Sequence, residues 1–262
     1  LTEGFTVTGG VRHDDHDRFG GATTFGANAV YSLAATGTTF RASYAEGFKV
    51  PSLFQLLSDF GNTALDPERS TGWDAGITQD LIGGRLQLSA VYFERDSTNL
   101  ILFISCPQPR TGICTNRPSG TYDNIGLATA RGAEFAVTLR PVDVLQVQFT
   151  HGNVDTRNRT IGSANFDRRL PRRPENSSSL LVDYRWSFGL ETGFTLTNVS
   201  EAFDNASNTT RLPGYLLADL RAMLPMGDNL ELTARIENLF DEQYETAFRF
   251  GQMPRAGYVG VR

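Results

Sequence analysis

The sequence predicts an all-β protein, an antiparallel transmembrane β-barrel, on three observations. Apolar residues recur at every second position through many runs, no run is apolar for long enough to make a membrane helix, and the connections alternate between tight turns and long polar loops. A period of two sends successive side chains to opposite faces of a sheet, so one face becomes apolar and the other wet. A spanning helix needs about 18 uninterrupted apolar residues, and nothing here approaches that. A closed barrel is the other structure that satisfies every backbone N–H and C=O inside lipid.

The alternation is clearest at Leu145, Val147 and Phe149 against Gln146, Gln148 and Thr150. It repeats at Phe135, Val137 and Leu139 against Glu134, Thr138 and Arg140, at Leu86, Leu88, Ala90 and Tyr92 against Gln87 and Ser89, and at Leu230, Leu232, Ala234 and Ile236 against Glu231, Thr233, Arg235 and Glu237. About twelve strands are expected, near 3–13, 22–34, 38–47, 70–81, 85–97, 121–140, 144–155, 176–186, 188–199, 214–224, 229–240 and 256–262. Tight turns at AATG, LIGG, PVD, WSF and PMGDN alternate with long loops at 14–21, 48–69, 98–120, 156–175, 200–213 and 241–255. That asymmetry separates a membrane barrel, short-turned at one rim and long-looped at the other, from a soluble sandwich. Glu, Arg, Gln and Thr on the second face suit a polar lumen better than a packed core.

Composition narrows the function classes. With 20% charged and 40% apolar residues and 26 glycines among 262, the chain is too apolar for disorder and too polar for a bundle of membrane helices. A net charge of −5, with no basic tract interleaved with aromatics, argues against a nucleic-acid partner. The opening LTEGFTVTGG has neither a basic nor an apolar leader region, so any export signal is expected outside this chain. Cys106 and Cys114 sit in the loop segment SCPQPRTGICTNRP. They pair in only one way, and a short loop disulfide fits an oxidising exterior or periplasm; two free thiols are the alternative.

Four segments carry a resemblance: FRASYAEGFKVPSLFQL (Phe40–Leu56) with GNTALDPERSTGWDAG (Gly61–Gly76), then YDNIGLATARGAEF (Tyr122–Phe135), LPRRP (Leu170–Pro174), and RIENLFDEQYE (Arg235–Glu245) ahead of a final RAGYVGVR. In this order they resemble the barrel domain of TonB-dependent outer-membrane receptors, nearest to the cobalamin receptor branch. The resemblance implies a barrel of about 22 strands closed by an N-terminal plug, of which this chain would hold the C-terminal portion and no plug, with truncation expected at both ends. It further implies active uptake of a scarce nutrient chelate, cobalamin or a ferric siderophore, across the outer membrane of a Gram-negative bacterium, without catalysis or a cofactor. TonB would be contacted through the missing plug, and lipid and lipopolysaccharide would surround the wall.

Candidate sites stand beside plainer readings. His13, Asp15 and Asp17, with Asp14 and His16 between them, are weak candidates for a surface divalent cation; the plainer reading is a solvated turn, since neighbours on a strand point to opposite faces. Arg168, Arg169, Arg172 and Arg173 could meet lipopolysaccharide or an anionic ligand through forked hydrogen bonds, or form ion pairs with Asp167 and Glu175. The resemblance favours Arg172 as a ligand contact, with Arg173 beside it, because Arg172 aligns with an arginine of the family's Leu-x-Arg-Arg stretch. Phe54, with Phe48, Phe60, Tyr244, Phe248 and Phe250, could bind an apolar chelate face or belong to an interfacial aromatic girdle. Asn238 and Asp241 suit an Asx-type turn, and Pro51 and Pro67 suit strand ends. No nucleophile–base or phosphate-binding motif is present, and His151 with Asp155 makes no triad. A passive porin and, less well, an outer-membrane barrel enzyme are the other classes.

Overall fold

The computed structural model describes residues 4–106, 108–117, 119–227 and 229–262. Residue 3 of the first predicted strand, Pro107 and Pro118 of the cysteine loop, and Asp228 of the PMGDN turn lie outside the described residues. In chain order the elements are β1 (Phe5–His16), β2 (Gly20–Leu33), β3 (Thr38–Lys49), α1 (Leu53–Leu57), β4 (Glu68–Leu81), β5 (Leu86–Ser105), β6 (Gly120–Val142), β7 (Leu145–Asn158), β8 (Asn176–Arg185), β9 (Glu191–Val199), β10 (Ala202–Phe203), β11 (Arg211–Leu212), β12 (Tyr215–Pro225), β13 (Glu231–Glu237), β14 (Glu245–Ala247), β15 (Phe250–Gly251) and β16 (Ala256–Val261). Twelve of the strands form one sheet in the order β1-β2-β3-β4-β5-β6-β7-β8-β9-β12-β13-β16, and every named pairing is antiparallel. The two remaining pairs, β10 with β11 and β14 with β15, are small hairpins inside loops.

Register converts the period of two into two chemically distinct faces. The cross-strand row Phe40, Ile77, Ala90, Phe135 is apolar, while the adjacent row Arg41, Gly76, Val91, Glu134 points to the other side. A second apolar row runs through Val147, Val182, Phe194, Leu220 and Ile236. Phe40, Ile77, Phe135, Leu220 and Ile236 are exposed on this face, as lipid-facing side chains are when no solvent has to be excluded from them. Aromatic pairs mark both edges of the apolar band. Trp73 packs on Tyr92 at 5.5 Å toward the long loops, and Tyr184 packs on Trp186 at 4.9 Å beside a short turn. Trp186 Nε1 also donates to Thr192 Oγ1 at 3.1 Å, the amphipathic arrangement that suits an interface between lipid and water.

The opposite face is polar and internally paired. The row Gln146, Asp183, Gly193, Arg221, Arg235, Tyr258 crosses six strands and lines an open cavity of about 750 Å³. Arg221 lies over Gly193, with Cγ 2.7 Å from where a Cβ would stand, and reaches Asp183 two strands away. Arg235 stacks on Tyr258 at 4.2 Å and pairs with Glu237 at 3.3 Å.

All twelve expected wall strands form, and several expected boundaries move. Residues 14–21 are not a long loop: β1 runs to His16 and β2 begins at Gly20, with His13 paired to Thr23 and Asp15 to Gly21. The expected 98–120 loop shrinks because β5 and β6 stay paired out to Ser105 and Gly120. Asn124 is central to that extension, its Nδ2 donating to the carbonyls of Asn99 (2.6 Å) and Asp66 (3.0 Å). The expected 188–199 strand starts only at Glu191, since Trp186 N–H closes the turn onto Leu190 O at 2.8 Å.

Candidate functional site

The long connections gather at one rim, where three assemblies form. In the first, residues 50–67 fold onto the β5–β6 extension, and Leu56, Leu65 and Ile101 make a small buried cluster against Phe19 and Tyr122. Ser52 starts α1 with a reciprocal capping box to Gln55, which satisfies two orphan donors. Polar side chains fasten the loop: Asn62 Nδ2 donates to Tyr122 O at 3.0 Å, and Thr121 Oγ1 donates to Phe60 O at 3.0 Å. With Leu56 inward, α1 presents Leu53, Phe54 and Leu57 to the outside, and Phe54 is 60% exposed. Phe54 meets Tyr122 edge-on at 6.2 Å, Tyr122 meets Phe103 at 5.5 Å, and Phe103 meets Phe60 at 5.8 Å. Phe54 therefore ends an aromatic chain with its own face open, whereas Phe48 is covered by Arg69, at 5.1 Å.

The second assembly is the arginine loop between β7 and β8. Residues 155–175 hold six arginines against three carboxylates, and the carboxylates are all engaged. Asp155 pairs with Arg157 at 2.6 Å, Asp167 with Arg159 at 2.5 Å, and Glu175 with Arg169 at 3.5 Å. Asp167 and Glu175 are thus taken by Arg159 and Arg169 rather than by Arg172 or Arg173. Arg172 instead reaches the next long loop: its N–H donates to Phe203 O at 2.6 Å and its Nε to Asp204 Oδ1 at 2.7 Å. Asn208 clamps the same pair of loops, accepting from Arg169 N–H and donating to Arg169 O, each at 2.9 Å. Arg168 and Arg173 have no acidic partner among the described residues; Arg173 donates only to Arg172 O, at 3.2 Å.

The third loop, 238–255, hangs from the second. Phe248 N–H donates to Asp204 Oδ1 at 3.1 Å, and Tyr244 stacks on Tyr215 with centroids 4.4 Å apart. Asn238 and Asp241 both take positive φ, and Asn238 Oδ1 accepts from Glu242 N–H at 2.8 Å, an Asx-type closure of the strand end. Partial burial pushes the Asp204 carboxyl up, but the bonds from Arg172 and from Phe248 N–H outweigh it and hold the group below the ordinary carboxylate range. Asp204 and Asn208 were invisible as site residues in the sequence, because DNASN reads as turn chemistry and nothing in it names the loop it will meet.

His13, Asp15 and Asp17 are not brought together as a cation site: His13 Nδ1 bonds Thr23 Oγ1 at 2.8 Å, and among the described residues no three His, Cys, Asp or Glu side chains gather. The reason is that β1 stays extended to His16, which spaces His13 and Asp15 out along the strand, and Asp17 lies in the turn beyond it. Cys106 and Cys114 are joined in a disulfide with Cα atoms 5.3 Å apart at the tip of the β5–β6 hairpin. His151 Nδ1 contacts Ser178 Oγ at 2.8 Å, while Asp155 is held by Arg157 and Arg131, so that acid does not orient the imidazole.

Residues 1–239 match the model of the family described as TonB dependent receptor-like, beta-barrel. The chain belongs to that family. Solved structures of the same fold include the ferric enterobactin receptor PfeA of Pseudomonas aeruginosa, with a TM-score of 0.78 at 21% identity over 100% of this chain and 43% of that one. The copper transporter OprC matches with a TM-score of 0.78 at 18% identity, over 100% of this chain and 45% of that one. The siderophore receptor PiuA from Acinetobacter baumannii matches with a TM-score of 0.76 at 19% identity, over 99% and 41%. The chain therefore spans less than half the length of these receptors. As a TonB-dependent receptor barrel it has its lipid-facing side at the Phe40–Phe135 row and its lumen at the Arg221–Arg235 row.

Proposed function

We propose that this chain forms the wall and capture loops of an outer-membrane receptor that takes up a nutrient as an anionic metal chelate, of the ferric siderophore class, and catalyses no reaction. The observation that carries this reading is the charge of the end of β7 and the β7–β8 loop, residues 155–175, which hold six arginines against three carboxylates in a chain whose net charge is −5. With the three acids paired internally, Arg168 and Arg173 remain for a ligand, and Arg172 is half exposed beside them. Guanidinium groups bind carboxylate and catecholate-type oxygens through forked, charge-assisted bonds, and an excess of one sign at a rim steers ligands of the other. A ferric catecholate is anionic because its deprotonated oxygens outnumber the charge on the ferric ion; a corrinoid is close to neutral. The open face of Phe54 supplies an aromatic surface for the chelate's rings. Coupling to TonB would run through a plug outside this chain, and lipopolysaccharide would surround the apolar band.

The test is a titration of the full-length receptor with ferric enterobactin and with cyanocobalamin, followed by fluorescence quenching. Tighter binding of the ferric chelate is expected. Preference for cyanocobalamin would keep the fold and replace the ligand class, and ion conduction with no saturable binding would replace the receptor by a porin.

A further inference from the structure

We infer that Asp204 is a specificity-determining residue of this receptor: it occupies the guanidinium of Arg172, so that a ligand gains Arg172 only by displacing a carboxylate. The inference rests on the reading of this rim as an anion-binding surface.

Arg172 is anchored twice on consecutive residues, through its own N–H to Phe203 O at 2.6 Å and through Nε to Asp204 Oδ1 at 2.7 Å. The backbone anchor and the Asn208–Arg169 clamp hold the two loops together without the ion pair. The side chain can therefore exchange its partner while the loop stays where it is. The exposures of the pair are unequal: the Arg172 side chain is 52% accessible and that of Asp204 17%. An incoming anion thus approaches the guanidinium, whose donors other than Nε have no partner among the described residues, from the open side, with the competing carboxylate behind it. A guanidinium offers five N–H donors in a planar fork, and a neighbouring carboxylate both takes one of them and repels a second anion. A simple anion loses against a partner already in place at 2.7 Å. A chelate that presents several oxygens at once, and binds Arg168 or Arg173 as well, wins. Asp204 therefore acts as a built-in competitor, discriminating by penalising the wrong ligand rather than by attracting the right one.

A different outcome is expected from a purely structural ion pair, and a double-mutant cycle in the full-length receptor separates the two. Asp204→Asn keeps the size of the side chain and an oxygen for Phe248 N–H, while removing the charge. It is expected to tighten binding of ferric enterobactin several-fold, Arg172→Ala to weaken it about tenfold, as loss of one charge-assisted contact does, and Asp204→Asn to give no gain once Arg172 is alanine. Binding of cyanocobalamin should not move with Asp204→Asn. If Asp204→Asn weakens or leaves unchanged the binding of ferric enterobactin while Arg172→Ala weakens it, the pair is structural and the inference falls, with the receptor reading intact. If Arg172→Ala changes nothing although the wild type binds, Arg172 is not a contact and the inference falls as well. If the wild type binds no anionic chelate, both the inference and the reading beneath it are overturned.

Discussion

Arg172 and Asp204, 32 residues apart in sequence, meet at 2.7 Å, and the same carboxylate oxygen accepts the backbone N–H of Phe248. One acid thus ties three long loops of the rim. Its pKa is depressed in the folded protein, so the stabilisation it contributes is fully present above the ordinary carboxylate value and is lost as pH falls through the lower, folded one. Exchange protection of the Phe248 amide is therefore expected to hold at neutral pH and to fade in acid. Protection that is already absent at pH 7, or that is unaltered by Asp204→Ala, would contradict the tie.

The faces assigned by register are tested by two neighbouring residues. Phe135 stands in the apolar row and Glu134 in the polar one. Phe135→Arg is expected to cost about 2–4 kcal/mol, as a cation does at mid-bilayer depth on a lipid face, and Glu134→Arg far less. Denaturant unfolding of the receptor reconstituted in bilayers reads both. Equal costs would mean that the faces are assigned wrongly.

Gly132, the glycine of the RGAEF signature, has a steric reason to be glycine. A Cβ there would lie 3.0 Å from both Asn153 C and Phe93 Cζ, and closer still to Asn153 O. Since the obstacle is the backbone of the paired strand β7, Gly132→Val should lower stability by about 1–3 kcal/mol or more, the usual cost of overpacking, and should delay the appearance of the heat-resistant form on gels. Gly10, with nothing within 4 Å of its Cβ position, is the control, and Gly10→Ala should assemble normally.

The Cys106–Cys114 bridge closes a short loop, with a sequence separation of 8. Chain entropy alone gives it about 2–3 kcal/mol, confined to ordering the hairpin tip. Both thiols should resist maleimide in native outer membranes until reduced, and Cys114→Ser should raise protease sensitivity near residues 106–119 without loss of the barrel. Labelling of either cysteine without reductant would remove the bridge.

Much of the wall was legible because strand phase is a local property. The alternation at Leu145–Thr150 or Phe135–Arg140 requires only that one face meets lipid and the other water, and the order of strands follows when each tight turn joins neighbours. Pro51 and Pro67 marked the ends of β3 and β4 for an equally local reason, the missing N–H donor. The reach of β5 is less legible, because residues 100–105 border the proline- and glycine-rich cysteine segment and so read as loop while they pair with β6 above the apolar band, and residues 14–16, which read as the start of a loop, continue β1.

An all-β wall, the number of its strands, the apolar side of each strand and the excess of arginine at one rim can all be read from the amino-acid order alone. Those properties depend on spacing and composition, which act within one strand or one loop. Which arginine is occupied, and by which acid, emerges only in the folded barrel. Asp167 and Glu175, near in sequence, went to Arg159 and Arg169, and Arg172 went to an aspartate on another loop. The physical reason is that charge pairing is settled by distances of a few ångströms between side chains, and those distances exist only after the barrel has brought the ends of β7, β9 and β13 to the same rim.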